Sequence, residues 1–384
     1  MVLKNLKIVL TDKVIENGFL VIDNGLITKV GVGEYKGEAE DCGGLIAMPG
    51  FIDIHIHGNA GIDFMDATDE DYKTIAESLY KEGVTTFLAT TLTSDKESLA
   101  RVCKTVNKVK NDTPSLGGIH FEGPYINVKY KGAQNEEFIR NPNIEEFDEL
   151  QKLSGNNIRY ITLAPENEGA LEFIEHVHKN GVTVSAGHSD ASFDQVKEAI
   201  AKGLTNTTHT HNAMSPHHHR KPGIVTAAFY FDELFTEFIC DKIHVCPNTL
   251  ATSYKIIGPE RFVMITDALK VKNSSINEFK LFGLDCIRKD GAAYLTSGPL
   301  AGSLLTMDQA LRNMHEITGA NLCDLAKISS KNAAKSLKFL DRGEILEGKK
   351  ADLVLLDKDL QVKATYKEGK KVFWYDKTTF RTWV

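Results

Sequence analysis

No two of the six cysteines, Cys42, Cys103, Cys240, Cys246, Cys286 and Cys323, form a C-x-x-C pair. That spacing argues against a zinc ribbon or a disulfide framework and for scattered free thiols. No stretch reaches the roughly 18 uncharged apolar residues of a membrane-spanning helix. Residues 1–12 alternate polar and apolar side chains where a secretion signal would place a basic start and an apolar core. A basic block able to track a phosphate backbone is also missing, since 45 Lys and Arg stand against 52 Asp and Glu, a formal charge of -7. The expectation is a soluble cytoplasmic protein with neither nucleic acid nor a membrane as partner. What the chain does have is 384 residues, 42% of them hydrophobic and 25% charged, enough to bury a full core without staples.

The two ends share a texture. Leu6 to Leu10, Phe19 to Val30 around an Asn24-Gly25 turn, and Leu45 to Met48 before Pro49-Gly50 read as short strands. Near the C-terminus Ala351 to Leu356, Val362 to Tyr366 and Lys371 to Trp374 alternate in the same way. One small β domain is expected from residues 1–50 and 345–384.

Between them, over 51–344, strand, loop and helix recur. Strands are expected at Phe51 to Ile54, Thr85 to Ala89, Leu116 to His120, Tyr160 to Leu163, Thr183 to Ala186, Asn206 to Thr208, Phe238 to Cys240 and Phe262 to Ile265. Helical spacing of apolar residues falls at Asp71 to Lys81, Lys96 to Lys110, Ile144 to Lys152, Leu171 to Lys179, Phe193 to Lys202 and Val225 to Glu237. Further helices are expected at Leu305 to Ile317 and Asn321 to Leu337. This alternation is that of an α/β protein, and it fits a closed parallel barrel. An open doubly wound sheet would favour a glycine-rich phosphate loop after an early strand, and Gly58-Asn59-Ala60-Gly61 matches neither standard spacing.

The unusual residues fall where the expected strands end, which is where barrel chemistry is built. His55 and His57 end the first strand and leave the same face of an extended chain, so both can approach one cation. Glu122 follows the third strand in His120-Phe121-Glu122-Gly123-Pro124, His188 follows the fifth, and His209 and His211 follow the sixth. Glu122 with neutral imidazoles at His188 and His209 makes a mixed N/O site suited to zinc, iron or another divalent transition metal. Asp267 comes directly after an apolar run, where a carboxylate without a partner is costly. Near an activated water it can accept a proton and pass it to a departing nitrogen. His217, His218 and His219 read as native loop, and Arg220 and Lys221 beside them offer charge to an anion. Ser303 lacks the strand-elbow-helix setting of a nucleophile.

Several runs carry a resemblance: Pro49-Gly50-Phe51-Ile52-Asp53-Ile54-His55-Ile56-His57-Gly58, Glu122-Gly123-Pro124, Gly187-His188-Ser189, Thr208-His209, Asn212-Ala213-Met214, Arg220-Lys221-Pro222-Gly223, Ile243-His244-Val245, Thr266-Asp267-Ala268 and Leu300 to Asp308. The chain resembles, nearly end to end, the N-acetylglucosamine-6-phosphate deacetylase family of the amidohydrolase superfamily. The resemblance implies a (β/α)8 TIM-like metal-dependent hydrolase barrel with a small β-sandwich domain formed by both chain ends. It implies hydrolysis of the acetamide of N-acetyl-D-glucosamine 6-phosphate to D-glucosamine 6-phosphate and acetate, in amino-sugar catabolism.

It further implies one or two divalent ions per subunit, zinc or iron, held by Glu122, His188 and His209, with His55 and His57 completing a second position. Asp267 would be the proton shuttle and His244 would stand beside the acetyl carbonyl. Arg220 would meet the sugar phosphate across a homodimer interface, helped by backbone donors at Asn212 and Ala213. Three positions depart from the family's habit: Lys242 where glycine is frequent, Gln134 where histidine is frequent, and Leu269 where methionine is frequent. The enzymatic alternative is another amidohydrolase, such as an N-acyl-amino-acid deacylase or a cyclic amidase, and the phosphate region separates the two.

Overall fold

The computed structural model describes residues 1–281 and 283–375; residues 376–384, the end of the expected terminal β domain, lie outside the described residues. Eight parallel strands lie side by side in chain order: Phe51–Ile56, Val84–Thr91, Leu116–Glu122, Ile158–Leu163, Thr183–Ala186, Leu204–Thr207, Phe235–Ile239 and Phe262–Ile265. Nearly all their residues are buried, because helices cover one face and the barrel interior the other. This is why the strands show no alternation of buried apolar and exposed polar residues, and why the polar residues they carry, such as Thr86 and Asn206, are themselves buried.

The first and last strands close the ring through side chains and single bonds. The Thr266 hydroxyl donates to the Asp53 carboxylate at 2.6 Å, and the Asp267 N–H to the His55 carbonyl at 2.8 Å. At the other end of this seam the helical turn Lys327–Lys331 wedges in. There Ser330 donates to the Gly50 carbonyl at 3.0 Å, and the Asn332 amide donates to the carbonyls of Pro259 and Phe262, each at 2.7 Å. The result is a nearly closed (β/α)8-like barrel.

The two chain ends build a separate β-sandwich domain. Its strands run Lys370–Trp374, Val362–Lys367, Leu353–Leu356, Ile46–Pro49, Val2–Val9, Val14–Asp23 and Leu26–Val32, with Glu40–Asp41 paired to Val2–Val9. The two-residue period of a strand explains how this domain is attached. Leu353 and Leu355 enter the sandwich core with Leu3, Leu6 and Ile8, whereas Val354 and Leu356 point the other way into the barrel's core with Ile46 and Met48. Among the described residues no helix is long and apolar enough to cross a membrane.

Three stretches differ from the sequence reading. The helix expected over Val225 to Glu237 covers only Ile224–Tyr230, and Phe235–Ile239 is the seventh strand. The helix ends where the Arg261 guanidinium donates to the carbonyls of Ala228, Phe231 and Leu234 at 3.0–3.1 Å. That cap comes from outside the local sequence. Between the eighth strand and the following helix the chain inserts a four-stranded antiparallel sheet, Glu278–Leu281, Leu284–Lys289, Ala292–Leu295 and Leu300–Ser303. A helix at Pro247–Ile257, begun by proline at its first position, is likewise additional.

Candidate metal centre and active site

The site is assembled at the C-terminal ends of the barrel strands. His188, His209 and Asp267 are each the second residue past a strand, and their φ values are 49°, 30° and 49°. Residues with side chains rarely adopt this left-handed backbone. Here it turns three chain segments sharply at the same level and tips their side chains over the mouth. His55, inside the first strand, and His57, one residue beyond its end, keep the same parity, with ring centroids 5.3 Å apart.

Glu122, the last residue of the third strand, sits at the centre. Its Oε1 lies 3.1 Å from Nε2 of His188, 3.1 Å from Nε2 of His209 and 3.2 Å from Nε2 of His55. Its Oε2 faces His57 Nε2 at 3.4 Å and accepts from the Gln134 amide at 2.5 Å. Asp267 Oδ1 stands 3.2 Å from His57 Nε2 and 3.5 Å from His55 Nε2. Three overlapping groups have ligand atoms within 4.8 Å of one another: Glu122, His188 and His209; His55, His57 and Glu122; and His55, His209 and Asp267.

The donor set fits a divalent cation. His188 donates from Nδ1 to the Tyr130 carbonyl at 2.8 Å, which leaves the lone pair of a neutral ring on Nε2. That atom is only 3.1 Å from His209 Nε2, so two imidazole nitrogens and one carboxylate oxygen face a common point. His55 Nε2 is buried without an aligned hydrogen bond. Its Nδ1 is anchored 3.1 Å from the Glu237 carboxylate, and Glu237 in turn accepts from the Tyr160 hydroxyl at 2.5 Å.

Electrostatics point the same way. Burial opposes charge on His55, but the carboxylates of Glu122 and Asp267 outweigh it and hold the ring well above its ordinary value. The same contest pushes His57 up to about 9. Burial favours the neutral acid at Glu122 and Asp267, yet the surrounding imidazoles keep both below the usual carboxylate range. Two buried carboxylates are thus compensated by protons on His55 and His57, the places a cation can take. Beneath them His120, bonded to Thr162 at 2.8 Å, is held well below its ordinary value, first by burial and then by His55, and stays neutral.

A cavity of about 150 Å³ opens above this cluster, lined by His57, Glu122, Gln134, His188, His209, Asn212, Ala213, His244 and Asp267 among others. His244 donates from Nδ1 to Asp241 at 2.6 Å, and Asp241 also accepts from the backbone of Ile243 and His244. Burial lowers the His244 pKa, but Asp241 reverses this and raises it, favouring a protonated ring. The inserted sheet supplies the opposite wall through Leu281 and Leu300 to Gly302. Lys242 has φ 69° and reaches Glu316 at 2.7 Å, so it brings no cation into the cavity. Leu269 is fully buried.

Other expected groups stay apart. Arg220 lies on an exposed loop outside this cavity, donating to His219 at 2.6 Å. His211 turns away to Ser253 at 2.9 Å, and His217 pairs with Thr226 at 3.0 Å. Ser303 is buried and donates to the Thr266 carbonyl at 2.5 Å, a structural role. Three groups went unread in the sequence: Glu237, Tyr160 and Asp241. Glu237 carried a usable signal, a carboxylate inside the apolar run Phe235–Ile239.

A nearly closed parallel barrel whose strand ends present histidines and carboxylates around a cation position is the architecture of a metal-dependent barrel hydrolase. The chain belongs to the amidohydrolase family, whose sequence profile matches residues 46–379. It is 40% identical over 330 residues to an N-acetylglucosamine-6-phosphate deacetylase of Lysinibacillus sphaericus, covering 85% of each chain. It is 34% identical over 329 residues to an N-acetylgalactosamine-6-phosphate deacetylase of Escherichia coli O157:H7, covering 84% of this chain and 87% of that one. Its fold matches with TM-score 0.92 a mutant N-acetyl-D-glucosamine-6-phosphate deacetylase of Mycobacterium smegmatis solved in complex with N-acetyl-D-glucosamine 6-phosphate. That match has 31% identity and covers 97% of this chain and 99% of that one.

Proposed function

We propose that this protein hydrolyses the acetamide of N-acetyl-D-glucosamine 6-phosphate to D-glucosamine 6-phosphate and acetate. The observation that carries the reading is the convergence of Glu122, His188 and His209 on one point, with Asp267 Oδ1 beside it. Glu122, His188 and His209 would hold a divalent ion, zinc or iron, with His55 and His57 completing a second position. When bound, such an ion polarises a carbonyl and makes water a better nucleophile.

The chain's own residues do the rest. Asp267, ionised at neutral pH, accepts a proton from the water whose oxygen attacks the acetyl carbon. It returns that proton to the nitrogen as the carbon–nitrogen bond breaks, leaving acetate and the free amine. His244, fixed by Asp241, presents Nε2 to the acetyl oxygen where negative charge develops. Asn212 and Ala213 border the cavity where the sugar enters. Arg220, exposed and remote from its own cavity, meets the phosphate in the site of a second copy, so the active form is a homodimer. Residues 51–344 form the catalytic body and 1–50 with 345–375 its buttress.

Acetate release from N-acetylglucosamine 6-phosphate, N-acetylgalactosamine 6-phosphate and unphosphorylated N-acetylglucosamine, with metal-depleted enzyme as control, tests this. Preferential turnover of the first, lost on metal depletion and restored by zinc or iron, is expected. Equal turnover without the phosphate would overturn the substrate assignment.

A further inference from the structure

The face of the barrel opposite this site carries a second concentration of charge. Lys110 caps the second helix and Arg159 lies near the start of the fourth strand, so both stand at the N-terminal end of the barrel. They line a cavity of about 750 Å³ together with Lys338, Arg342 and Lys350, against two carboxylates, Asp341 and Glu368. Those carboxylates are already engaged. Asp341 holds the Arg342 guanidinium at 2.9 and 3.0 Å and Lys350 at 3.2 Å, while Glu368 holds Lys350 at 2.9 Å.

Lys110 and Arg159 are left without a counter-charge among the described residues. Lys110 has only the amide oxygen of Asn157, and Arg159 Nε is shielded from water with no hydrogen-bond partner. Burial, then the charges of Arg159 and Arg342, push the Lys110 ammonium down to about 8. A buried donor with no acceptor is a debt most proteins settle with a ligand or ordered water, and a guanidinium beside an ammonium matches a phosphate group in charge and geometry.

We propose that this cavity is a second anion site, which takes the phosphate group of a phosphorylated small molecule at the junction between the barrel and the C-terminal β segment. Its walls fit that role. Lys110 and Arg159 belong to the barrel, Lys338 and Arg342 to the connector, Lys350 to the approach to the sandwich, and Glu368 to the turn between its strands Val362–Lys367 and Lys370–Trp374. A bound phosphate ties the three together, in the kind of junction where small-molecule sites concentrate. The inference is independent of the reaction assigned to the opposite face.

The test uses the full chain carrying Arg220→Ala, which removes the contact proposed for substrate phosphate. Inorganic phosphate is titrated calorimetrically, and thermal melting is followed against sodium chloride at equal ionic strength. Phosphate should bind saturably and raise Tm beyond the chloride effect. Arg159→Gln should weaken that binding at least tenfold and, introduced into the chain with Arg220 intact, leave the rate of acetate release unchanged. Should Arg159→Gln fold poorly, Lys110→Met serves as the second variant with the same expected loss. A phosphate effect no larger than chloride's, or one that survives both substitutions, overturns the proposal.

Discussion

Gln134 decides how the Glu122 carboxylate is presented, and removing its amide should loosen the bound ion. Its Oε1 accepts from the Thr93 N–H at 2.8 Å, which fixes the amide so that Nε2 faces Glu122 Oε2 at 2.5 Å. One carboxylate oxygen is thereby occupied, and the other is left to face His188 and His209 at 3.1 Å. A hydrogen bond to a charged group contributes about 1.5–3 kcal/mol, and about 1.4 kcal/mol is tenfold in an equilibrium constant. Gln134→Leu, which keeps the volume and loses the donor, should therefore weaken ion affinity by about 10–100-fold, the range seen when a partner behind a metal ligand is removed.

Gln134→Glu should be worse, because it sets a second carboxylate against Glu122. The assay is competition for zinc against a chromophoric chelator, with melting curves to confirm that the variant is folded. An affinity for Gln134→Leu within about threefold of the parent would show that the amide only fills space.

Asp267→Asn should keep metal content and cut turnover by about 10²–10⁴-fold, the usual contribution of a positioned proton acceptor; parallel losses of metal and rate would make Asp267 a ligand first. His57 stays protonated in the ion-free site up to about 9, and a ligand imidazole must be neutral, so ion binding expels a proton. Apparent affinity should rise with pH from 6.5 towards 9, and a flat profile in the chelator assay would contradict the assigned charge state. Lys272→Met strands Glu82, buried with its only close cation among the described residues at 3.0 Å, and should cost about 3–5 kcal/mol in urea unfolding, with Glu82→Gln in the same chain recovering part of it. Chelation should lower thermal stability, by about 4 kcal/mol for an ion present at 1,000 times its Kd; melting curves identical with and without chelator would deny any ion at the site.

How much of this was legible in the sequence depended on the range of the forces involved. His55 and His57 could be paired because strand parity is local, and Glu122, His188, His209 and Asp267 stood out because polar residues followed apolar runs. Arg261 reaching three carbonyls some 30 residues upstream could not be read, so the helical pattern of Val225 onward ran on into a strand. Glu237 was lost in that overrun, although the cost of a buried carboxylate, the argument applied to Asp267, applies to it equally. Gln134 showed only as an unusual residue; its grip on Glu122 depends on Thr93, 41 residues away. The inserted sheet of 278–303 has strands whose residues are mostly not buried, so no apolar run marks them as it marks the equally short barrel strands.

The left-handed backbone at His188, His209 and Asp267 connects stability to function. A residue in a sparsely populated region costs about 1–3 kcal/mol, and the same rim buries two carboxylates whose desolvation is offset by the imidazoles around them and, at Glu122, by the Gln134 amide. Such a rim is unfavourable to build and persists because the barrel beneath it over-determines each strand end. The side chains are thus aimed before any ion or substrate arrives, and little reorganisation remains for the reaction. The bond from Asp267 N–H to the His55 carbonyl, part of the seam that closes the barrel, places the proton acceptor and a second-position histidine on one rigid joint. A change in barrel closure therefore reaches the chemistry through Asp267 before it reaches Glu122, His188 and His209, which hang on the third, fifth and sixth strands, away from the seam.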